Sequence, residues 1–246
     1  MYRALFSTKE YEFFQGWDST TEPENQLLWV RGETGVGKTM LLTGTVRALL
    51  PATAQDKSDP CFLSFYFFDH AKKGSNNAAS ALRTIIWLIL VYQPDLCTHL
   101  TRKLDSTRRR HLNDPNDFLA LSAIFYDMIE DERIAKTYIV VDVLDQCMSC
   151  NGQPGVDDVL ALITKSLKLS KRIKWLVSSD ESERFKSTFL NIGCRHVDLS
   201  QGLLGMDVAM HDYIAAKVRD LARTNKYDEE LEEEVIRELH SASQGN

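Results

Sequence analysis

This chain has no basic excess, no cysteine framework, no long apolar run and no internal repeat. Of its 246 residues 29 are basic and 35 acidic, a formal net charge of −6. A protein that grips nucleic acid by bulk electrostatics needs a basic face, so this balance argues against one. Five cysteines (Cys61, Cys97, Cys147, Cys150 and Cys194) form an odd set without framework spacing. That fits reduced, intracellular thiols better than a cross-linked secreted scaffold. The N-terminus lacks the basic-then-apolar pattern of a signal peptide. The most apolar stretch, 84–92 (TIIWLILVY), is far short of the ~20 residues of a membrane span. It reads as a buried helix with Trp87 in the core, and the protein as soluble and cytoplasmic. What is present is an ordinary composition, 43% hydrophobic, enough for one globular domain with a small helical unit beside it.

Short apolar runs alternate with helical patterns. Tyr11, Phe13, Phe14 and Trp17 suggest a short N-terminal helix docking by its aromatics, followed by the turn-rich DSTTEPEN. Strands are expected at 27–30, 61–68, 138–141, 173–177 and 196–199. Between them lie helical patterns at 38–50, stopped by Pro51, and from a cap at Asn76 or Asn77 to about Gln93, ended by Pro94. Further helices are expected at 95–110, 115–130 and 156–169, and from 207 onward the pattern is purely helical, 207–222 then 228–240. Strands alternating with helices predict an α/β fold, a parallel sheet with helices on both faces.

The segment Gly32-Glu33-Thr34-Gly35-Val36-Gly37-Lys38-Thr39 matches G-x-x-x-x-G-K-[ST], with an apolar strand before it and a helix, continuing through Met40, after it. Glycines let successive N–H groups turn inward around phosphate oxygens. The helix N-terminus adds its positive end. Lys38 is placed to bridge the β- and γ-phosphates of ATP, or the phosphates of ADP, and the Thr39 hydroxyl to coordinate Mg²⁺. A second strand end must then carry a carboxylate for the metal. Ile139-Val140-Val141-Asp142 supplies Asp142, and Asp145 and Gln146 follow at the same edge as candidates to orient an attacking water.

These residues resemble the NACHT domains of signal-transducing P-loop ATPases, in particular those of fungal NOD-like receptors of the heterokaryon-incompatibility type. The likeness runs through LLWVRGETGVGKTMLL, NNAASALRTIIWLIL, QPDL, YIVVDVLDQC, IKWLVSS and the helical tail. It implies a five-stranded parallel sheet in the order 5-1-4-3-2. It also implies an N-terminal helix and linker at 1–26, a P-loop NTPase core at 27–205, and at 206–246 the start of a helical domain. The chain would then be a fragment of a larger receptor, between an N-terminal effector and C-terminal repeats. ATP would favour a self-associated, signalling state in innate immunity or heterokaryon incompatibility, ADP an inactive one. The chain departs from that pattern at three positions. Val143 stands where a small residue is usual. Gln146 replaces a carboxylate, and an amide takes up a proton poorly. Asp180 replaces an arginine that reads the γ-phosphate, with Arg184 one turn later as a substitute. Binding is thus expected with weak or absent hydrolysis. A competent ATPase or phosphotransferase, and a nucleotide-stabilised scaffold, are the alternatives.

Other features read more simply. Cys147 and Cys150 form a C-x-x-C without a second pair, two loop cysteines or half of a zinc site. Arg108, Arg109 and Arg110 fit a solvated helix face, or a partner-facing patch. His99, His111, His196 and His211 have no partner at recognisable spacing. The acidic run 228–234 (DEELEEE) is an exposed helix start favoured by the helix dipole.

Overall fold

The computed structural model describes residues 2–17, 22–53, 60–69, 76–106, 117–148, 154–201 and 206–244. Two short helices, α1 (Tyr2–Phe6) and α2 (Lys9–Gln15), come first, where the sequence suggests one. The core alternates β1 (Leu27–Arg31), α3 (Lys38–Thr53), β2 (Cys61–Phe67), α4 (Ala78–Tyr92), α5 (Cys97–Ser106), α6 (Phe118–Ile129), β3 (Lys136–Asp142), α7 (Val156–Leu169), β4 (Ile173–Ser179), α8 (Glu183–Ile192) and β5 (Arg195–Asp198). A hairpin of α9 (Met206–Asn225) and α10 (Glu229–Gln244) follows. All strand pairings are parallel, in the order β2-β3-β4-β1-β5, which is the expected 5-1-4-3-2 read from the other edge.

Strand alternation sorts the core into two halves. Trp29, Ile139, Val141, Trp175 and Val177 face α4, α6, α7 and α8. Leu28, Val30, Val140 and Leu176 face α3 and the N-terminal helices. The two buried indoles are satisfied: Trp29 donates to Ser179 Oγ and Trp175 to Ser166 Oγ, both at 2.9 Å. Asn77 caps α4 by accepting from Ser80 N at 2.8 Å, and Asn76 Oδ1 accepts from Asp69 N.

At the strands' N-terminal ends a buried clasp fastens the first helices. Tyr11 and Phe14 are buried and Trp17 half-buried, so these aromatics dock, whereas Phe13 is 49% exposed and does not. Lys174 on β4 donates to the carbonyls of Phe14 and Gly16, with Trp17 4.8 Å from its ammonium. Tyr138 OH accepts from Trp17 Nε1 at 2.8 Å and donates to Gln15 O at 3.0 Å.

Several expectations need correction. Trp87 is 60% exposed, not core, with Val91 and Tyr92 also exposed. A helix beside an edge strand has only one stripe to bury, here Ala78, Leu82, Ile85 and Ile89; an all-apolar run hides which stripe that is. Helix α3 runs through Pro51 to Thr53, because proline's φ is helical and in a last turn few bonds are lost. The polar helix expected at 95–110 begins as a 3₁₀ turn, Pro94–Leu96, before α5. The arginines 108–110, His111 and Cys150 lie outside the described residues. Cys147 is buried, which pushes its thiol up to about 12; such a thiol is inert. Residues 229–234 open α10 as exposed turns, with Asp228 accepting from Leu231 N at 2.9 Å. Among the described residues no helix is long and apolar enough to cross a membrane.

Candidate nucleotide site

Parallel register brings the C-terminal ends of β1, β3, β4 and β5 to one edge, where Arg31 lies opposite both Ser179 and Asp198. The loop 32–37 leaves β1 there and turns back into α3. Gly35 (φ 90°) and Gly37 (φ 100°) take backbone conformations that L side chains rarely adopt. At Gly32 it is space that excludes a side chain, since a Cβ would sit 2.9 Å from Val36 Cγ1 and 3.3 Å from Leu199 Cβ. Lys38, though 94% covered, folds back on its own loop and donates to Gly32 O at 2.6 Å and Glu33 O at 2.9 Å. Glu33, Thr34, Gly35, Thr39 and Met40 are exposed, and Val36 and Gly37 half-buried, so the rim of the loop is open. The first helical N–H groups of α3 have no partner within the helix, which makes this rim attractive to anions.

Asp142 closes the site from β3. Its residue is wholly buried. Oδ1 accepts from Ser178 Oγ at 2.6 Å, while Oδ2 completes no hydrogen bond. Burial raises the pKa of this carboxyl; Ser178, the Thr39 hydroxyl and the Lys38 ammonium act in the opposite direction. The Thr39 hydroxyl thus acts on this carboxyl, yet Oδ2 stays without a hydrogen bond. A buried carboxylate oxygen without a donor, beside a hydroxyl and a loop that accepts anions, fits a hard cation such as Mg²⁺, which binds oxygen and keeps several waters.

Ser178 is a candidate site residue that the sequence reading missed. Its Oγ donates to Asp142 and accepts from Val143 N at 2.8 Å. Its place at the end of β4, next to β3 in the expected strand order, could have pointed to it. Val143 itself is left-handed (φ 55°, ψ 56°), rare for a β-branched residue, and gives a physical reason for the small residue usual there. Arg31 was missed as well. It pairs with Asp198 at 3.0 Å and Glu181 at 3.4 Å, lying over the Trp29 ring.

Of the expected water-orienting groups, Asp145 is engaged within the chain. Asp145 Oδ1 accepts from Asp180 N at 3.0 Å, tying the turn after β3 to the end of β4. Gln146 is half-buried in the same turn, which its backbone N–H closes onto Val143 O. Asp180 accepts from Ser182 N at 3.1 Å. Arg184 lies 3.4 Å from Asp157 on α7, both well exposed.

A parallel sheet in this order, a glycine loop between β1 and its helix, and a buried carboxylate at the end of β3 define a P-loop nucleoside-triphosphatase fold. Residues 5–180 match the family described as nephrocystin 3, N-terminal. The chain belongs to that family. It is 30% identical over 236 residues, 94% of its length, to vegetative incompatibility protein HET-E-1 of Podospora anserina. These matches bear out the resemblance to NACHT modules of the heterokaryon-incompatibility type. The chain spans 16% of that relative's length. Among solved structures, "Structure of Drosophila ORC bound to DNA" covers 77% of this chain and 42% of its own (16% identity, TM-score 0.43). "Structure of C. elegans PCH-2" covers 93% and 48% (14% identity, TM-score 0.45). At these scores neither carries an argument about this chain.

Proposed function

We propose that this chain is the ATP/ADP-binding switch of a larger, cytoplasmic fungal receptor of the NOD-like type, and that it hydrolyses ATP slowly or not at all. The observation that carries the reading is the unpartnered Oδ2 of buried Asp142 beside Thr39 and Lys38. In this assignment the loop from Gly32 to Thr39 holds the phosphates, with Met40 at its edge. Lys38 exchanges its two loop carbonyls for phosphate oxygens, and Thr39 and Asp142 hold the metal shell. A bound Mg²⁺ would neutralise phosphate charge; Ser178 orients Asp142 whether or not it is there. The engagement of Asp145 by Asp180 N and of Arg184 by Asp157, with Gln146 in place of a carboxylate, supports slow turnover over a competent ATPase. Flanking effector and repeat segments, and self-association in the ATP state during immunity or incompatibility, belong to the same proposal; similarity to a vegetative incompatibility protein supports it.

Calorimetry with Mg²⁺·ATP and with ADP tests it. Lys38→Ala removes a charge-assisted hydrogen bond worth about 1.5–3 kcal/mol, so affinity should fall about tenfold to a hundredfold. Unchanged affinity would overturn the phosphate-loop assignment. Turnover of the parent chain at about 1 s⁻¹ or more, the range of working enzymes, would favour the ATPase reading.

A further inference from the structure

From Ile85 to Tyr92 helix α4 is apolar on every side, the pattern of a helix covered all round. Yet only the stripe of Leu82, Ile85 and Ile89 meets the core. On the opposite side Trp87 is 60%, Val91 53% and Tyr92 44% exposed, with Leu88 half-buried beside them. Trp87 and Val91, like Leu88 and Tyr92, stand one turn apart, so the four form a continuous patch. Leu119 on α6 and Leu190 on α8, by contrast, are each the single exposed large apolar residue of their helix, which is ordinary for a surface. The patch is also partly ordered in advance. Tyr92 stacks on Phe62 of β2, with centroids 5.6 Å apart and planes at 16°. Just beyond it Gln93 Oε1 accepts from Ala135 N at 2.7 Å, ahead of β3. The patch therefore lies towards the end of the sheet opposite the phosphate loop.

We propose that this stripe is an interaction surface for a second copy of the chain, the two α4 helices packing antiparallel about a two-fold axis. Charge favours a copy as the occupant. Residues 84–94 carry no charge in a chain of net charge −6, so this is where two like-charged copies approach with least repulsion. Arg83 precedes the stripe and Asp95 follows it, both exposed. An antiparallel copy brings each towards its opposite, whereas a parallel one would bring like towards like. The same symmetry sets Trp87 against the partner's Val91, and Val91 against the partner's Trp87. Trp87, Val91 and Tyr92 leave on the order of 300 Å² open per copy. Pairing then covers about 600 Å² from these three side chains, short of the ~1,200 Å² of a stable interface. The dimer is accordingly weak and forms at high concentration. It uses no residue of the nucleotide site and does not depend on that reading.

Sedimentation of the 246-residue chain without nucleotide, from about 10 μM to about 1 mM, tests the proposal. The mean mass should rise from 28.0 kDa towards twice that value. Trp87→Glu and Val91→Lys should each hold the chain at 28.0 kDa. Mixed together, these two variants should pair again, because each places its new charge opposite the other's. Leu119→Glu should sediment as the parent does. Circular dichroism checks that each variant folds. Trp87→Ala, which should weaken pairing at least about tenfold, takes the place of Trp87→Glu should the latter fold poorly. A parent that stays at 28.0 kDa throughout, including one that binds phosphatidylcholine vesicles through Trp87 instead, would overturn the proposal. So would pairing undiminished in the Trp87 variants, or a mixture that remains unpaired.

Discussion

The two ends of the central sheet treat buried polar groups in opposite ways. At the N-terminal ends of the strands every such group described has found a partner within the chain. Gln26 donates to Ser170 O and Ile173 O, Thr137 to Ala135 O, and Lys174 to two carbonyls of the N-terminal segment. At the C-terminal ends lie all the buried side-chain atoms without a hydrogen bond among the described residues: Arg31 Nε, Asp142 Oδ2 and Glu181 Oε1. Arg31 and Glu181 at least compensate each other's charge; Asp142 Oδ2 has only the nearby Thr39 and Lys38. An unsatisfied buried group costs about 1–3 kcal/mol. This chain avoids that cost at one end and carries it at the other, beside a left-handed Val143. A ligand at the C-terminal end, as proposed above, would account for the difference.

The largest effect is expected where satisfaction is fullest. Lys174→Met keeps the stem but leaves two carbonyls without their ammonium. Stability should fall by about 3 kcal/mol, the upper range for hydrogen bonds to a charged group, and amides of residues 9–17 should exchange faster. Because the clasp lies at the far end of the sheet, ATP affinity should hold. A variant as stable as its parent would mean that the N-terminal end is not the better-satisfied one.

At the other end, Asp180→Arg restores a cation beside the proposed γ-phosphate position. Single-turnover hydrolysis should rise at least about tenfold, short of the 10³–10⁵ of a fully positioned arginine, because the Ser182 cap is lost. A variant no faster than its parent would show that turnover is not limited by the missing charge there. A smaller effect is expected at Asp142. Burial raises its pKa in the folded state, so its contribution to stability is most favourable in acid and is lost as pH rises through the folded value. Metal-free protein at neutral pH therefore carries a cost that Asp142→Asn removes. Its Tm should rise by about 2–4 °C, as roughly 1 kcal/mol gives in a domain of this size, while Mg²⁺ no longer adds to stabilisation by ATP. A lower Tm in the metal-free variant would reverse the contrast between the two ends.

The phosphate loop and the strands were legible because each rests on local spacing: glycines before Gly37-Lys38-Thr39, apolar runs before each turn, a carboxylate after Val141. The strand order came from the resemblance to NACHT domains. Less local features were not legible. Ser178 meets Asp142 only because β4 pairs with β3, and His99 meets Asp131 at 2.7 Å across 32 residues. His211 and His240 are likewise joined by a hairpin, not by spacing. Trp87 was misplaced for a different reason. In an all-apolar helix the sequence does not say which stripe the sheet will cover, and α4 lies beside the edge strand β2, where one stripe stays open.

At Val143 the expected loss is small for a buried side chain, and its smallness is informative. Deleting a buried valine side chain should cost about 1.5–3 kcal/mol of burial. Glycine further costs about 0.5–1 kcal/mol through the unfolded chain. Against this, a left-handed conformation costs an L-residue about 1–2 kcal/mol, and a β-branched one is least suited to it. Val143→Gly should therefore be destabilised by only about 1–2 kcal/mol by these terms. Val141→Gly, two residues earlier in ordinary extended strand with 1% exposure, has no strain to relieve and should lose about 1–2 kcal/mol more. Urea melts of the two variants measure the difference directly, provided their m-values agree. Equal losses at both positions would mean that the turn after β3 stores no strain, leaving Asp142 Oδ2 as the principal sign that this end of the sheet is kept for a ligand.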